Sequence, residues 1–226
     1  MTNRTAKLRQ DSLDTPPAIS AERAELVTDF YRENAGRFSV PMMRAQNFYH
    51  LCERKTLYLG EGELIVGERG PRPKAVPTYP ELTCHSVEDL QILHSRPKTH
   101  YQVEAEAIRV YQEKVVPYWQ GRSMRDRIFA EMSPEWLAAY EAGIFTEFME
   151  QRAPGHTVAD GKIYRKGMRD FQRDIEAAIA RLDFLNDPEA LARREQLQAM
   201  AVSCEALILL ARRHADRVVA SVFVNP

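Results

Sequence analysis

Apolar and polar positions along this chain alternate mostly with the period of an α-helix. Ser20 is placed to cap a helix through about residue 34, with Ala24, Leu26, Val27 and Phe30 as its apolar stripe and Gly36 closing it. Pro41 opens another, in which Met42, Ala45, Phe48 and Leu51 repeat at helical spacing. Ser86 with Asp89, and Ser123 with Asp126, are capping-box-like starts to two shorter helices, the first through about residue 94. Between them, residues 103–116 carry Ala105, Ile108, Tyr111 and Val115 on one face, and Pro117 stops or kinks that helix. Ser133-Pro134-Glu135 starts a helix bearing Trp136, Leu137, Ala139 and Tyr140, and Gly143 ends it. Residues 162–182 are amphipathic through Met168, Phe171, Ile175, Ile179 and Leu182. Asp187-Pro188-Glu189 begins a last, long helix with a seam of Leu197, Ala201, Cys204, Ile208, Ala211, Ala215 and Val218. Met200, Leu207 and Leu210 widen that seam, so this helix needs cover on more than one side.

Three stretches break the pattern. Residues 1–18 are polar and read as an N-terminal arm or poorly ordered lead-in. Between residues 56 and 83, Leu57-Tyr58-Leu59 and Leu64-Ile65-Val66 are short β-like runs among glycines, followed by a proline-rich segment that should lie extended. After Gly143, the apolar run Ile144, Phe145, Phe148 and Met149 leads into Arg152-Ala153-Pro154-Gly155-His156-Thr157, which cannot continue a helix. A loop lifting His156 from aromatic surroundings fits a binding corner; a histidine that caps a neighbouring helix fits the same residues. The fold class is therefore mostly α with a few short strands.

Composition narrows function mainly by exclusion. The 226 residues carry 31 Lys and Arg against 32 Asp and Glu, a formal net charge of −1, which offers no nucleic-acid footprint. The pairs Arg193-Arg194 and Arg212-Arg213 read as solvated helix faces. No apolar run approaches the roughly 18 residues of a membrane span, and the first residues lack a signal-peptide core, so a cytoplasmic protein without a membrane partner is expected. Three widely spaced cysteines form neither a disulfide framework nor a metal knuckle, and no metal is expected. Gly67-Glu68-Arg69-Gly70 puts an acid where a phosphate loop would hold its anion.

The run Glu135 to Val158, EWLAAYEAGIFTEFMEQRAPGHTV, with Gly62-Glu63-Leu64-Ile65-Val66-Gly67-Glu68 and Pro77-Thr78-Tyr79-Pro80-Glu81 upstream, resembles the N-terminal part of the glycyl radical enzymes, the pyruvate formate-lyase-like family. The similarity runs from about residue 5 to about residue 217, and within the family it points to the members that remove water from trans-4-hydroxy-L-proline. It implies that residues 19–219 are the N-terminal, helical part of an incomplete α/β barrel, and that residues 220–226 are an atypical end that reads as a truncation. It also implies a glycyl radical installed by a radical S-adenosylmethionine activase, a homodimer when complete, and a hydroxyproline-like substrate held in part by His156 and Phe148. The radical residues themselves are missing. Cys52, Cys84 and Cys204 are followed by Glu53-Arg54, His85-Ser86 and Glu205-Ala206, so none fits the family's Cys-x-Glu pattern, and no Arg-Val-x-Gly-Tyr loop occurs. These 226 residues are thus expected to be inactive by themselves, with no catalytic residue and no cofactor of their own. Two alternatives stay open: part of another glycyl radical lyase or formate acetyltransferase-like enzyme, and a non-catalytic helical accessory protein.

Overall fold

The computed structural model describes residues 2–64, 67, 69–145 and 160–224, with side chains to residue 220. Ten α-helices, a π-turn, a short 3₁₀ turn and two strands appear among them. Of the serine caps read from the sequence, those at Ser86, Ser123 and Ser133 are in place, the one at Ser20 is not, and Ser39 supplies one that was not anticipated. Ser39 caps α3 (Val40–Arg54), Ser86 caps α4 (Val87–Ser95) with a complete capping box, Ser123 caps α7 (Met124–Glu131) and Ser133 caps α8 (Pro134–Glu141). Each serine oxygen accepts from a backbone N–H three residues on, one of the four donors that a helix start leaves without a partner. Gly143, at φ +70°, ends α8 in the left-handed region that favours glycine.

The lead-in is helical. Residues 3–14 form α1 (Asn3–Asp14), capped by Thr2, with no buried residue. Strand β1 (Ala18–Ser20) follows, then α2 (Glu22–Glu33), whose N-cap is Ala21 and not Ser20. Strand β2 (Ala75–Pro77) pairs with β1 in parallel, Ala18 opposite Ala75 and Ser20 opposite Pro77. The expected β-like runs are therefore displaced. Residues 57–59 form no strand, Leu64 is exposed, and Ile65 and Val66 lie outside the described residues. Pairing goes to the proline-rich segment instead, because Gly70 lets the chain fold back: a Cβ there would stand 2.2 Å from the Ala75 carbonyl oxygen.

Two packed bodies of helix result. In the first, Ile19, Val27, Leu90, Val110, Tyr111, Val115 and Trp119 form a contiguous core. The helix expected over 103–116 is split into α5 (Ala105–Val110), a π-turn (Tyr111–Val115) and α6 (Val116–Trp119). Pro117 supplies no N–H and its ring opposes the carbonyl a turn back, so the ladder widens just before it. The widened turn moves the buried face to Ala107, Val110, Tyr111 and Val115, leaving Ala105 exposed. In the second body, α10 (Ala190–Val224) packs on α3 and on α9 (Met168–Ala180). Cys204, Ala199 and Ala206 are buried on it, whereas Met200, Leu207 and Val218 remain exposed, so part of the expected seam is uncovered. Arg213 departs from the solvated-face reading. Its guanidinium donates to the Cys52 carbonyl at 2.6 Å and the Lys55 carbonyl at 3.0 Å, closing the last turn of α3.

Candidate functional site

The most specific run in the sequence is reached through a chain of anchors that begins at Pro77. The Tyr111 hydroxyl donates to Thr78 Oγ1 at 2.6 Å, and both groups are buried. Arg23 of α2 donates to the Thr78 carbonyl and forks onto both oxygens of Glu81, while its guanidinium carbon stands 3.9 Å from the Tyr79 ring centroid. A planar cation suits that double role, matching a carboxylate edge-on and a ring face-on. The carbonyls of Glu81 and Leu82 then accept from Met124 and Arg125 N–H, so the first turn of α7 is pinned to the same run. Pro77-Thr78-Tyr79-Pro80-Glu81 is thus a structural bracket joining β2, α2 and α7.

From α7 the anchors pass to α8. Arg125 and Phe129, four residues apart, share one face, and the Arg125 guanidinium lies 4.3 Å from the Phe129 centroid. Phe129 meets Tyr140 edge-on at 4.9 Å, and Arg125 Nη2 donates to the Tyr140 hydroxyl at 3.3 Å. Phe145 sits 5.2 Å from Trp136 and 6.0 Å from Tyr140. These rings carry the chain to residue 145. Phe148 and His156, the two residues expected to line a pocket, lie outside the described residues. Beside this corner, Met124, Ile128, Met132 and Trp136 line an open groove with Arg127 and Glu131 at its edge.

The cysteines behave as core residues. Cys52 and Cys204 are buried, and burial pushes both thiols up. Burial pushes Cys84 up to about 11, with Asp126 and Asp89 adding to the effect. A thiol held protonated in this way is a poor nucleophile or metal ligand. Among the described residues no group of three His, Cys, Asp or Glu side chains could hold a metal ion. Two histidines have structural roles. His94 Nδ1 accepts from Val103 N–H at 3.1 Å, and His214 Nδ1 lies 2.9 Å from the Leu210 carbonyl oxygen. His50 packs on the Phe30 ring at 5.3 Å, and burial lowers its basicity. No described helix is long and apolar enough to cross a membrane.

Sequence reasoning passed over Asn47, whose buried Oδ1 has no hydrogen-bond partner, since nothing local distinguishes it on α3. A cavity of about 740 Å³ opens between α3, α9 and α10 beside Phe48, Phe171, Ile175 and Leu207, with none of the aromatic-corner residues in its lining.

Comparison with known proteins fits this geometry. The chain is 49% identical over 214 residues to trans-4-hydroxy-L-proline dehydratase of Clostridioides difficile, covering 95% of this chain and 27% of that protein. The crystal structure of hydroxyproline dehydratase from the same organism, with trans-4-hydroxy-L-proline bound, superposes with a TM-score of 0.90 at 48% identity, over 96% of this chain and 28% of that one. Isethionate sulfite-lyase of Oleidesulfovibrio alaskensis is 31% identical over 91% of this chain and 26% of that protein. The chain thus spans about a quarter of the length of these relatives. The pyruvate formate lyase-like family model matches residues 1–219, nearly the whole sequence, and this chain therefore belongs to that family, the glycyl radical enzymes.

Proposed function

We propose that this chain supplies one wall of the active site of a glycyl radical dehydratase that removes water from trans-4-hydroxy-L-proline to give a pyrroline-5-carboxylate. The observation that carries this reading is the 49% identity to the Clostridioides difficile dehydratase, well above the 31% to the isethionate lyase. In this reading residues 19–219 are the domain portion and residues 1–18 its arm. His156 hydrogen-bonds the departing 4-hydroxyl and eases its release as water. Phe148 packs its ring against the pyrrolidine and keeps bulk water from that face.

The radical, when present, supplies the hydrogen abstraction that makes the hydroxyl a feasible leaving group. No residue of this chain is suited to carry it, since the three thiols lack the Cys-x-Glu pattern and no Arg-Val-x-Gly-Tyr loop occurs. The rest of a relative's length would provide it, as would a radical S-adenosylmethionine activase acting there. A homodimer is the assembly this reading expects.

The test is a chimera in which this chain replaces the matching segment of the Clostridioides difficile dehydratase, activated anaerobically and assayed for pyrroline-5-carboxylate. Turnover within about tenfold of the parent is expected, and His156→Ala in the chimera should lower kcat about 10²-fold or more. A folded, radical-bearing chimera that ignores hydroxyproline refutes the substrate. An unchanged rate for His156→Ala refutes the role of that residue.

A further inference from the structure

Helix α1 is fastened to the rest of the molecule in an unusual way. Nothing on it is buried: Ala6 and Leu8 are half-covered, and Leu13 points largely into solvent at 67% exposure. Beyond that partial cover it is held by three cationic side chains along its length, one in an ion pair and two hydrogen-bonding backbone carbonyls. Near its start, Arg4 Nη1 donates to the Gly62 carbonyl at 2.8 Å. One turn later, Lys7 pairs with Glu61 at 2.7 Å. At its end, Lys74 Nζ reaches the carbonyls of Ser12 and Thr15, among the acceptors that the last turn of a helix leaves open.

Lys74 is the telling residue. Its φ of +54° is a left-handed backbone on a non-glycine residue, and that conformation turns its side chain to the end of α1. Its own carbonyl accepts from Ala18 N–H at 3.0 Å, the first bond of the β1–β2 pairing. One residue therefore closes both the helix end and the sheet beside it.

We infer that α1 is a strap held over the turn at residues 60–62 by electrostatic contacts, and that rising ionic strength releases it. At 12 residues it is near the length below which a helix is marginal alone in water, so release and unwinding are one event. The contacts at Lys7 and Glu61 face solvent, and exposed pairs of this kind are screened as the Debye length shrinks from about 10 Å at 0.1 M salt to about 3 Å at 1 M. The core around Tyr111 has no such dependence, because its bonds are buried. The inference concerns this chain's own residues and stands apart from its substrate.

Hydrogen exchange of the 226-residue chain, read by mass spectrometry at about 0.05 M and about 1 M NaCl, tests it. Amide protection over residues 3–14 is expected to fall about tenfold at high salt, while α4 keeps its protection and reports that the body remains folded. The double variant Lys7→Gln/Lys74→Gln should show the high-salt exchange already at low salt. Arg9→Gln removes one charge from the exposed side of α1 and should leave wild-type exchange. Protection of α1 that ignores salt, that survives the double variant, or that is missing at both salt concentrations overturns the inference.

Discussion

The body around Tyr111 and the body around α10 use the same kinds of residue to different ends. In the first, large side chains are enclosed and their polar groups find partners. Trp119 Nε1 donates to Thr28 Oγ1 at 2.9 Å, Thr28 donates onward to the Ala24 carbonyl at 2.6 Å, and Tyr111 donates to Thr78. In the second, and at the α8 corner, comparable groups stand in the open. Trp136 is 60% exposed, Ile144 77% and Met200 54%. These groups sit at the surface, unlike the enclosed side chains around Tyr111. The first body encloses its largest side chains, whereas α10 and α8 leave several of theirs at the surface.

Substitutions can break that contrast. Tyr111 is fully buried, so Tyr111→Ala should cost about 3–5 kcal/mol, as other large-to-small core changes do, whereas Trp136→Ala should stay within about 0.5 kcal/mol. Urea titration of both variants checks this, and equal losses would erase the distinction between the enclosed core around Tyr111 and the exposed α8 corner. A smaller effect is expected for Thr28→Val, which keeps the shape and strands the buried indole N–H of Trp119. The loss should be about 1–3 kcal/mol, and a neutral result would mean that water reaches the indole.

The smallest expected effect is a pH dependence confined to the first body. Burial raises the Cys84 thiol from 9.0 to about 11 and raises Tyr111 as well, so the folded state holds these protons more tightly than the unfolded chain. For Cys84 the stabilisation is complete below about pH 9 and is lost as pH climbs through about 11, whereas that of Tyr111 persists to higher pH. For the partly exposed Cys84 this is on the order of 1 kcal/mol. Urea midpoints between about pH 8 and 11 should fall, and fall less steeply in Cys84→Ala; identical slopes would remove Cys84 from the account.

Much of this was legible in the residues, for a local reason. Serine caps at residues 86, 123 and 133 and the stop at Gly143 act within about four residues of chain and are in place, and the Asp187 signal falls three residues before α10 begins at Ala190, its carboxylate accepting from Glu189 N–H. The resemblance carried by residues 135–158 led to the family. The two residues expected to line a pocket, Phe148 and His156, remain a proposal.

Other features were decided only when distant segments met. Nothing near Ala18 specifies that it pairs with Ala75, because a parallel partner is chosen by where the intervening helices bring the chain. The π-turn shifted the buried face of residues 105–115 by relaxing around Pro117 against Thr78 and the α2 core, which a regular helical period cannot anticipate. The polar lead-in became a helix because Glu61, the Gly62 carbonyl and Lys74 stand where its charges and open carbonyls can use them. Helix starts, stops and stripes depend on neighbours in sequence and were fixed there. Partners, register and the covering of faces depend on neighbours in space, and only the folded chain supplies those.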